Sequence, residues 1–109
     1  MLLKIDTTKR EEVIVQLIDS KSDKKDKLVQ TQKLGSQVLL PMIVKILKKN
    51  KISFADLTGV EVATGPGSFT GTRVGVAVAN ALGFALDIPV NGKKGKIALP
   101  IYEKSKFDQ

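Results

Sequence analysis

The residue types that usually do chemistry are scarce in this chain. Its 109 residues include no histidine and no cysteine, which excludes the usual general base, the commonest zinc ligand, thiolate nucleophiles and any Ser-His-Asp or Cys-His constellation. A disulfide framework is excluded with them. Two stretches remain whose composition suits a ligand. The first is Asp6-Thr7-Thr8, an acid and two hydroxyls just after the apolar run Leu2 to Ile5. Ligands meet open sheets at the carboxyl ends of strands, but the same three residues also suit a plain turn in which the carboxylate caps nearby amides. The second is the glycine-rich loop Gly65-Pro66-Gly67-Ser68-Phe69-Thr70-Gly71-Thr72-Arg73. Backbone N–H groups at a helix start bind anions, yet no Gly-Lys-Ser/Thr follows the loop, the third glycine of a dinucleotide fingerprint is missing, and Pro66 removes a donor. The other readings are a tight turn, with Gly65 and Gly67 taking unusual backbone angles, Ser68 or Thr70 capping the helix and Phe69 packing down, or a direct contact with a partner.

The elements that must position this loop are a strand-like run, Val60 to Thr64, and an apolar segment reaching Leu86. In that segment Gly71, Gly75, Ala79 and Gly83 recur every fourth position, on one line of a helix, leaving a groove nearly without side chains. Three interior glycines cost about 3 kcal/mol in helix propensity, a loss that only contacts open to a bare backbone can offset. The neighbouring rows are Val74, Val78, Leu82, Leu86 and Ala77, Ala81, Ala85, with Arg73 as the sole charge between Thr70 and Leu86. No solvent face is evident.

Upstream, Leu2 to Ile5, Val13 to Ile18 and Leu28 to Leu34 read as strands, and the charged stretch Asp19 to Lys27 as a solvated hairpin tip. Gly35-Ser36 opens a helix in which Leu39, Ile43, Ile46 and Leu47 form one stripe while Leu40 and Val44 lean to another side. With Ser36 as N-cap, Pro41 sits too deep for the first turn, which predicts a late start or a kink near Leu40. Lys48-Lys49-Asn50-Lys51 suits the negative end of the helix dipole. Ser53 to Leu57 is a turn or short helical segment, and Asp87 to Val90 a short strand whose Pro89 suggests an edge or a strand start. Three early strands on hairpin-length loops, followed by helix, strand, helix, strand, predict an α/β fold. Its mixed sheet has about five strands and two main helices. A domain of this length buries roughly 60 to 70% of the surface of its unfolded chain. Neither helix can be wrapped on every side, so surplus apolar surface points to a protein partner.

Eighteen basic against eleven acidic residues give a net charge of +7, dispersed along the chain, with a net +3 in residues 91 to 109. This permits nucleic-acid contact without specifying one, and one Tyr, no Trp and four Phe supply no ladder for stacking bases. The start meets a charge at Lys4, unlike a signal peptide. The apolar run Val74 to Leu86 is shorter than the ~20 residues that span a bilayer. The expectation is a protein of the cytoplasm.

The glycine loop, continued through Val74-Gly75-Val76-Ala77, closely resembles the bacterial TsaB (YeaZ) family. So do Leu57-Thr58-Gly59-Val60, Gly83 to Val90, the opening Leu3-Lys4-Ile5-Asp6-Thr7-Thr8, and the Ser36 to Leu47 helix with Leu40-Pro41. The resemblance covers residues 1 to about 90. It implies an RNase H-like, actin-like lobe of the sugar kinase and Hsp70 superfamily, with Asp6, Thr7 and Thr8 as a vestigial phosphate loop. It also implies a non-catalytic scaffold, without metal or cofactor, in making N6-threonylcarbamoyladenosine in tRNA. The paralogue TsaD carries the metal and transfers the threonylcarbamoyl group, and the ATPase TsaE completes the assembly. Expected partners are therefore a TsaD-like paralogue, a TsaE-like ATPase, and tRNA indirectly through the complex. A homodimer is expected in their absence, and no membrane is involved.

The expected partner interface is Leu39, Ile43, Ile46, Gly71, Val74, Gly75, Val78, Ala79, Leu82 and Gly83. The chain departs from the family pattern at Gly35, where the family often has His, and along Asn91 to Lys96. Family members carry a second lobe that residues 91 to 109, a basic tail, cannot form. A short strand Ile97-Ala98-Leu99 is expected there. The rival readings are a self-associating actin-like domain with residual nucleotide or peptidase-type activity, and direct tRNA binding through Lys93, Lys94 and Lys96.

Overall fold

Alternation of apolar and polar residues sets the sheet. A computed structural model describes residues 1–9, 11–19, 21–22, 24–31, 38–67, 69–95 and 97–99. Four strands, β1 (Leu2–Asp6), β2 (Glu12–Ile18), β3 (Lys25–Thr31) and β4 (Gly59–Val62), lie in the order β3-β2-β1-β4. β2 runs antiparallel to both β1 and β3, and β1 runs parallel to β4. Register places Leu3 between Leu17 and Val60, and Ile5 between Val15 and Val62. Because directly opposed residues share a face, these side chains form one apolar layer. With Val13 they are the buried half of the sheet.

Both helices cover that layer. α1 (Leu39–Lys49) packs over β2 and β3, and α2 (Phe69–Leu86) over β4 and β1. The late start expected from Pro41 is what the chain does. Val38 precedes the first helical residue, and the first bond runs from Met42 N–H to the Val38 carbonyl, so Pro41 falls in the first turn, where its missing N–H is no loss. The expected cap, Ser36, lies outside the described residues. Leu39, Met42, Ile43, Ile46 and Leu47 turn inward.

Both helices end alike. Ile52 N–H reaches the Leu47 carbonyl and Lys51 N–H that of Lys48. At the end of α2, Ile88 and Asp87 reach Gly83 and Phe84 in the same pattern. This double bond closes a helix through a left-handed residue, here Lys51 at φ 58° and Asp87 at φ 54° in place of the usual glycine.

Three expectations are corrected at the margins. The hairpin tip is shorter than Asp19 to Lys27, because Lys25, Asp26 and Lys27 belong to β3. Asp19 closes the tip by accepting from Lys21 N–H and Ser22 Oγ. Among the described residues the sheet has four strands rather than five. Val90 makes isolated bridges, parallel to Val60 and antiparallel to Lys93, while the Asn91 side chain pairs with both backbone groups of Val62, accepting at 2.8 Å and donating at 3.1 Å. The chain turns away through left-handed residues at Asn91 and Gly92, φ 51° and 79°, so its backbone cannot reach Val62 and the side-chain amide stands in for it. Residues 97–99 form no strand. They are held by Asn80, which donates to the Ala98 carbonyl and accepts from its N–H.

The reverse face of the sheet is open among the described residues. It carries the Lys4–Glu61 ion pair, at 3.3 Å, beside Ile14 and Gln16. A depression of about 410 Å³ lies there, lined also by Asp6, Lys27 and Asn91.

Candidate functional site

The glycine loop begins where β4 ends. Gly65 has φ 105°, a left-handed backbone that favours glycine, and the Gly65–Pro66 peptide is cis. Ser68 lies outside the described residues, and Phe69 is placed only as the first residue of α2. Gly67 abuts the end of β1: a Cβ there would stand 2.6 Å from the Thr8 carbonyl oxygen and 2.7 Å from its Cβ. One helical turn further on, the Thr7 hydroxyl donates to the Gly71 carbonyl at 2.5 Å, and a Cβ at Gly75 would overlap Thr7 Oγ1.

Asp6-Thr7-Thr8 is thus engaged on both sides. Asp6 Oδ1 accepts from Thr8 N–H at 2.9 Å and Thr8 Oγ1 at 2.6 Å, the turn in which an acid caps nearby amides. Thr7, only 1% exposed, is spent on α2. These residues act as the socket in which the loop and the first turns of α2 sit. No group of His, Cys, Asp and Glu able to hold a metal ion occurs among the described residues.

The small-residue row faces the sheet. Ala79 is fully buried, Gly75 meets Thr7, and a Cβ at Gly83 would overlap Val90 Cγ2 and stand 3.2 Å from the Ile88 carbonyl oxygen. This corrects the expected partner interface. Gly75, Ala79 and Gly83 are closed against their own sheet, and Leu39, Ile43 and Ile46 are at most 1% exposed in the core beneath α1. Gly71, whose carbonyl Thr7 uses, is half-buried. Val74, Val78 and Leu82 are half-buried and pack one side against the core, which leaves their other side available.

The outward surface lies one step round each helix. On α2 it is Thr70, Arg73, Ala77, Ala81, Phe84 and Ala85, with Phe84 91% exposed. On α1 it is Leu40, 50% exposed, with Pro41, Val44, Lys45 and Lys48. The β3 side of α1 is fixed by Asp26, which accepts from Asn50 Nδ2 at 2.9 Å and pairs with Lys49 at 3.3 Å. The Asn50 donor, with Lys27 N–H and Lys49 beside it, holds the Asp26 carboxyl below its ordinary range. At about 100° per residue, Leu40 and Val44 lie roughly opposite Lys49, on the side toward α2. α1 thus exposes Leu40 and Val44 on that side, and α2 carries the half-buried Val74, Val78 and Leu82 beside its exposed alanine row. The sequence signal was the second stripe of α1 and the alanine row of α2. Phe84 had no periodic signal of its own.

Comparison with known proteins adds the following. A family model described as "TsaD: tRNA N6-adenosine threonylcarbamoyltransferase" matches residues 29–93. The tRNA threonylcarbamoyladenosine biosynthesis protein TsaB of Buchnera aphidicola subsp. Schizaphis graminum is 44% identical over 54 residues, which is 50% of this chain and 26% of the relative. TsaB of Escherichia coli is 37% identical over 57 residues, 52% of this chain and 25% of the relative. The solved structure of YeaZ from Pseudomonas aeruginosa superimposes with a TM-score of 0.76 at 29% identity, covering 93% of this chain and 44% of that one. The chain thus spans about a quarter of these curated relatives in the aligned stretch, and less than half of the solved neighbour.

Proposed function

We propose, for a chain that belongs to the TsaD family and lies on its TsaB (YeaZ) branch, a role as a non-catalytic assembly subunit in tRNA N6-threonylcarbamoyladenosine synthesis. In this reading the chain docks a TsaD-like paralogue through the outer surface of α1 and α2, meets tRNA indirectly through the complex, and works in the cytoplasm with a TsaE-like ATPase. The observation that carries the reading is the apolar outward surface of the two helices, centred on Leu40, Val44, Ala77, Ala81 and the almost fully exposed Phe84. A Phe side chain moved from water into an interface is worth about 2 to 3 kcal/mol, so leaving one on a helix surface is costly unless a partner covers it. Ala77 and Ala81 let a second helix approach closely.

The scaffold role also agrees with the engagement of Asp6, Thr7 and Thr8 in holding α2. The deciding experiment is the native mass of the purified chain, alone and mixed with the TsaD-like protein of the same genome. A mixed complex that Phe84→Ser weakens supports the reading. Failure of the two proteins to associate refutes it.

A further inference from the structure

The turn after Val90 carries a chemistry of its own, and the docking role makes no use of it. Val90 and Lys93 exchange both backbone hydrogen bonds, at 3.3 Å and 3.1 Å, around Asn91-Gly92. Asn91 at φ 51° and Gly92 at φ 79° give this two-residue loop the form of a type I′ turn. The chain has three asparagines, and only Asn91 is followed by glycine; Asn50 precedes Lys51 and Asn80 precedes Ala81. Asparagine amides are labile, most of all when the next backbone nitrogen can attack them, and a side chain on the next residue hinders that attack. Gly92 has none. It is exposed, and a Cβ built on it would meet nothing within 4 Å.

The same amide is held in place. Asn91 Oδ1 accepts from Val62 N–H at 2.8 Å and Nδ2 donates to the Val62 carbonyl at 3.1 Å, while Asn91 N–H donates to the Val60 carbonyl at 2.8 Å. Ring closure onto Gly92 requires the amide to turn its face from Val62 to the Gly92 nitrogen, and this breaks both side-chain bonds. The attacking nitrogen is therefore open to solvent while its target is withheld.

We infer that Asn91-Gly92 is a site of spontaneous deamidation, that the two bonds to Val62 hold the reaction off in the folded chain, and that conversion irreversibly releases the outer rung of the sheet. The Gly92 nitrogen, having lost its proton to solvent hydroxide, bonds to Asn91 Cγ. The Cγ–Nδ2 bond then breaks, and Nδ2 leaves as ammonia with protons from solvent. The cyclic imide takes up one water at either carbonyl, giving aspartate or isoaspartate, so the net change is asparagine plus water to acid plus ammonia. Neither product restores the rung. In aspartate a carboxylate oxygen replaces Nδ2 against the Val62 carbonyl oxygen, acceptor facing acceptor. In isoaspartate the former amide carbon joins the main chain, and a carboxylate on Cα becomes the side group. The loss reaches α2 as well, because Val90 is the residue against which Gly83 packs.

The test incubates the full chain at mildly alkaline pH, folded and unfolded in urea, and follows all three asparagines by peptide mapping with mass spectrometry. In urea Asn91 is expected to convert well before Asn50 and Asn80, to a mixture of aspartate and isoaspartate. In the folded chain Asn91 is expected to convert about tenfold or more slowly than in urea, the factor for two hydrogen bonds that must open first. Asn91→Asp supplies one product directly. It is expected to exchange the amide protons of Val62 and residue 91 about fivefold or more faster than the native chain, with the circular dichroism spectrum kept. Native chain aged to conversion is expected to show the same loss of protection.

Equal rates at the three asparagines in urea refute the site. A folded chain that loses the Asn91 amide as fast as the unfolded one refutes the protection by Val62. Native exchange rates at Val62 in both Asn91→Asp and the aged chain refute the release of the rung. Each of these results leaves the docking role standing, since that role is read from association and not from this turn.

Discussion

Replacing Gly75 by Ala tests the contact through which α2 is held to β1. A methyl group there overlaps Thr7 Oγ1 and stands 3.3 Å and 3.4 Å from Thr7 Cβ and Cγ2. The hydroxyl cannot rotate away freely, because it donates to the Gly71 carbonyl, and Thr7 and Gly75 are both buried. Relief requires either breaking that bond or lifting α2 from the sheet. A buried hydroxyl left unpaired costs about 1 to 3 kcal/mol and overpacking about 1 to 3 kcal/mol. Alanine returns about 1 kcal/mol of helix propensity. With both costs met the balance is a net loss of about 1 to 5 kcal/mol, which lowers the melting temperature of a chain of this size by about 5 °C or more. Urea unfolding should show a lower midpoint at unchanged slope. Adding Thr7→Ala should restore about 1 to 2 kcal/mol to the Gly75→Ala chain, since it removes both Oγ1 and Cγ2. If Gly75→Ala is as stable as the native chain or more so, propensity governs the position and the close packing of α2 on Thr7 is refuted.

Other outcomes follow from separate features. Lys51→Gly should raise stability by about 0.5 to 1 kcal/mol, because a left-handed residue closes α1 there and glycine adopts that conformation without strain, as urea titration can verify. Asn80→Ala should leave the unfolding midpoint nearly unchanged but free Ala98 N–H to exchange with solvent, because the Asn80 amide binds both backbone groups of Ala98. Phe84→Ser should keep or slightly raise stability and weaken the mixed complex by about ten- to a hundredfold, read by native mass and binding titration. The Asp26 carboxyl lies below its ordinary value of 3.8 because it accepts from Asn50. A depressed acid stabilises above its unfolded pKa and loses that contribution as pH falls through its folded value. Native stability should therefore decline as pH falls below 3.8, and the decline should be shallower in Asp26→Asn, measured by urea unfolding at stepped pH.

The sheet and both helices were legible because their signals are local. The apolar run Val13 to Ile18 and the stripe Leu39, Ile43, Ile46, Leu47 were read from neighbouring residues alone, and the structure buries Val13, Val15, Leu17 and that stripe, with Met42 added to it. Pro41 foretold the late start of α1. The fifth strand was over-read, because backbone pairing is confined to one rung at Val60 and the next, at Val62, is made by the Asn91 amide, a substitution of side chain for backbone with no periodic trace. Which face of α2 meets the sheet was not legible either. Its glycine, valine and alanine rows are all apolar, so hydrophobic period alone cannot rank them.

What ranks them is size at the point of closest approach. β1 presents the Thr7 side chain, and the bridge residue Val90 presents a branched one, at distances where only Gly75 and Gly83 fit. The glycine row is therefore spent inside the chain, offsetting its propensity cost through intramolecular packing rather than through a partner. The outward surface is left to alanine, which preserves helix propensity while still admitting a close neighbour, and to Phe84 and Leu40, which are exposed among the described residues. α2 is thus a two-sided helix whose sides answer to different constraints. Substitutions at Gly75 or Gly83 should register in stability, and those at Ala77, Ala81 or Phe84 in association.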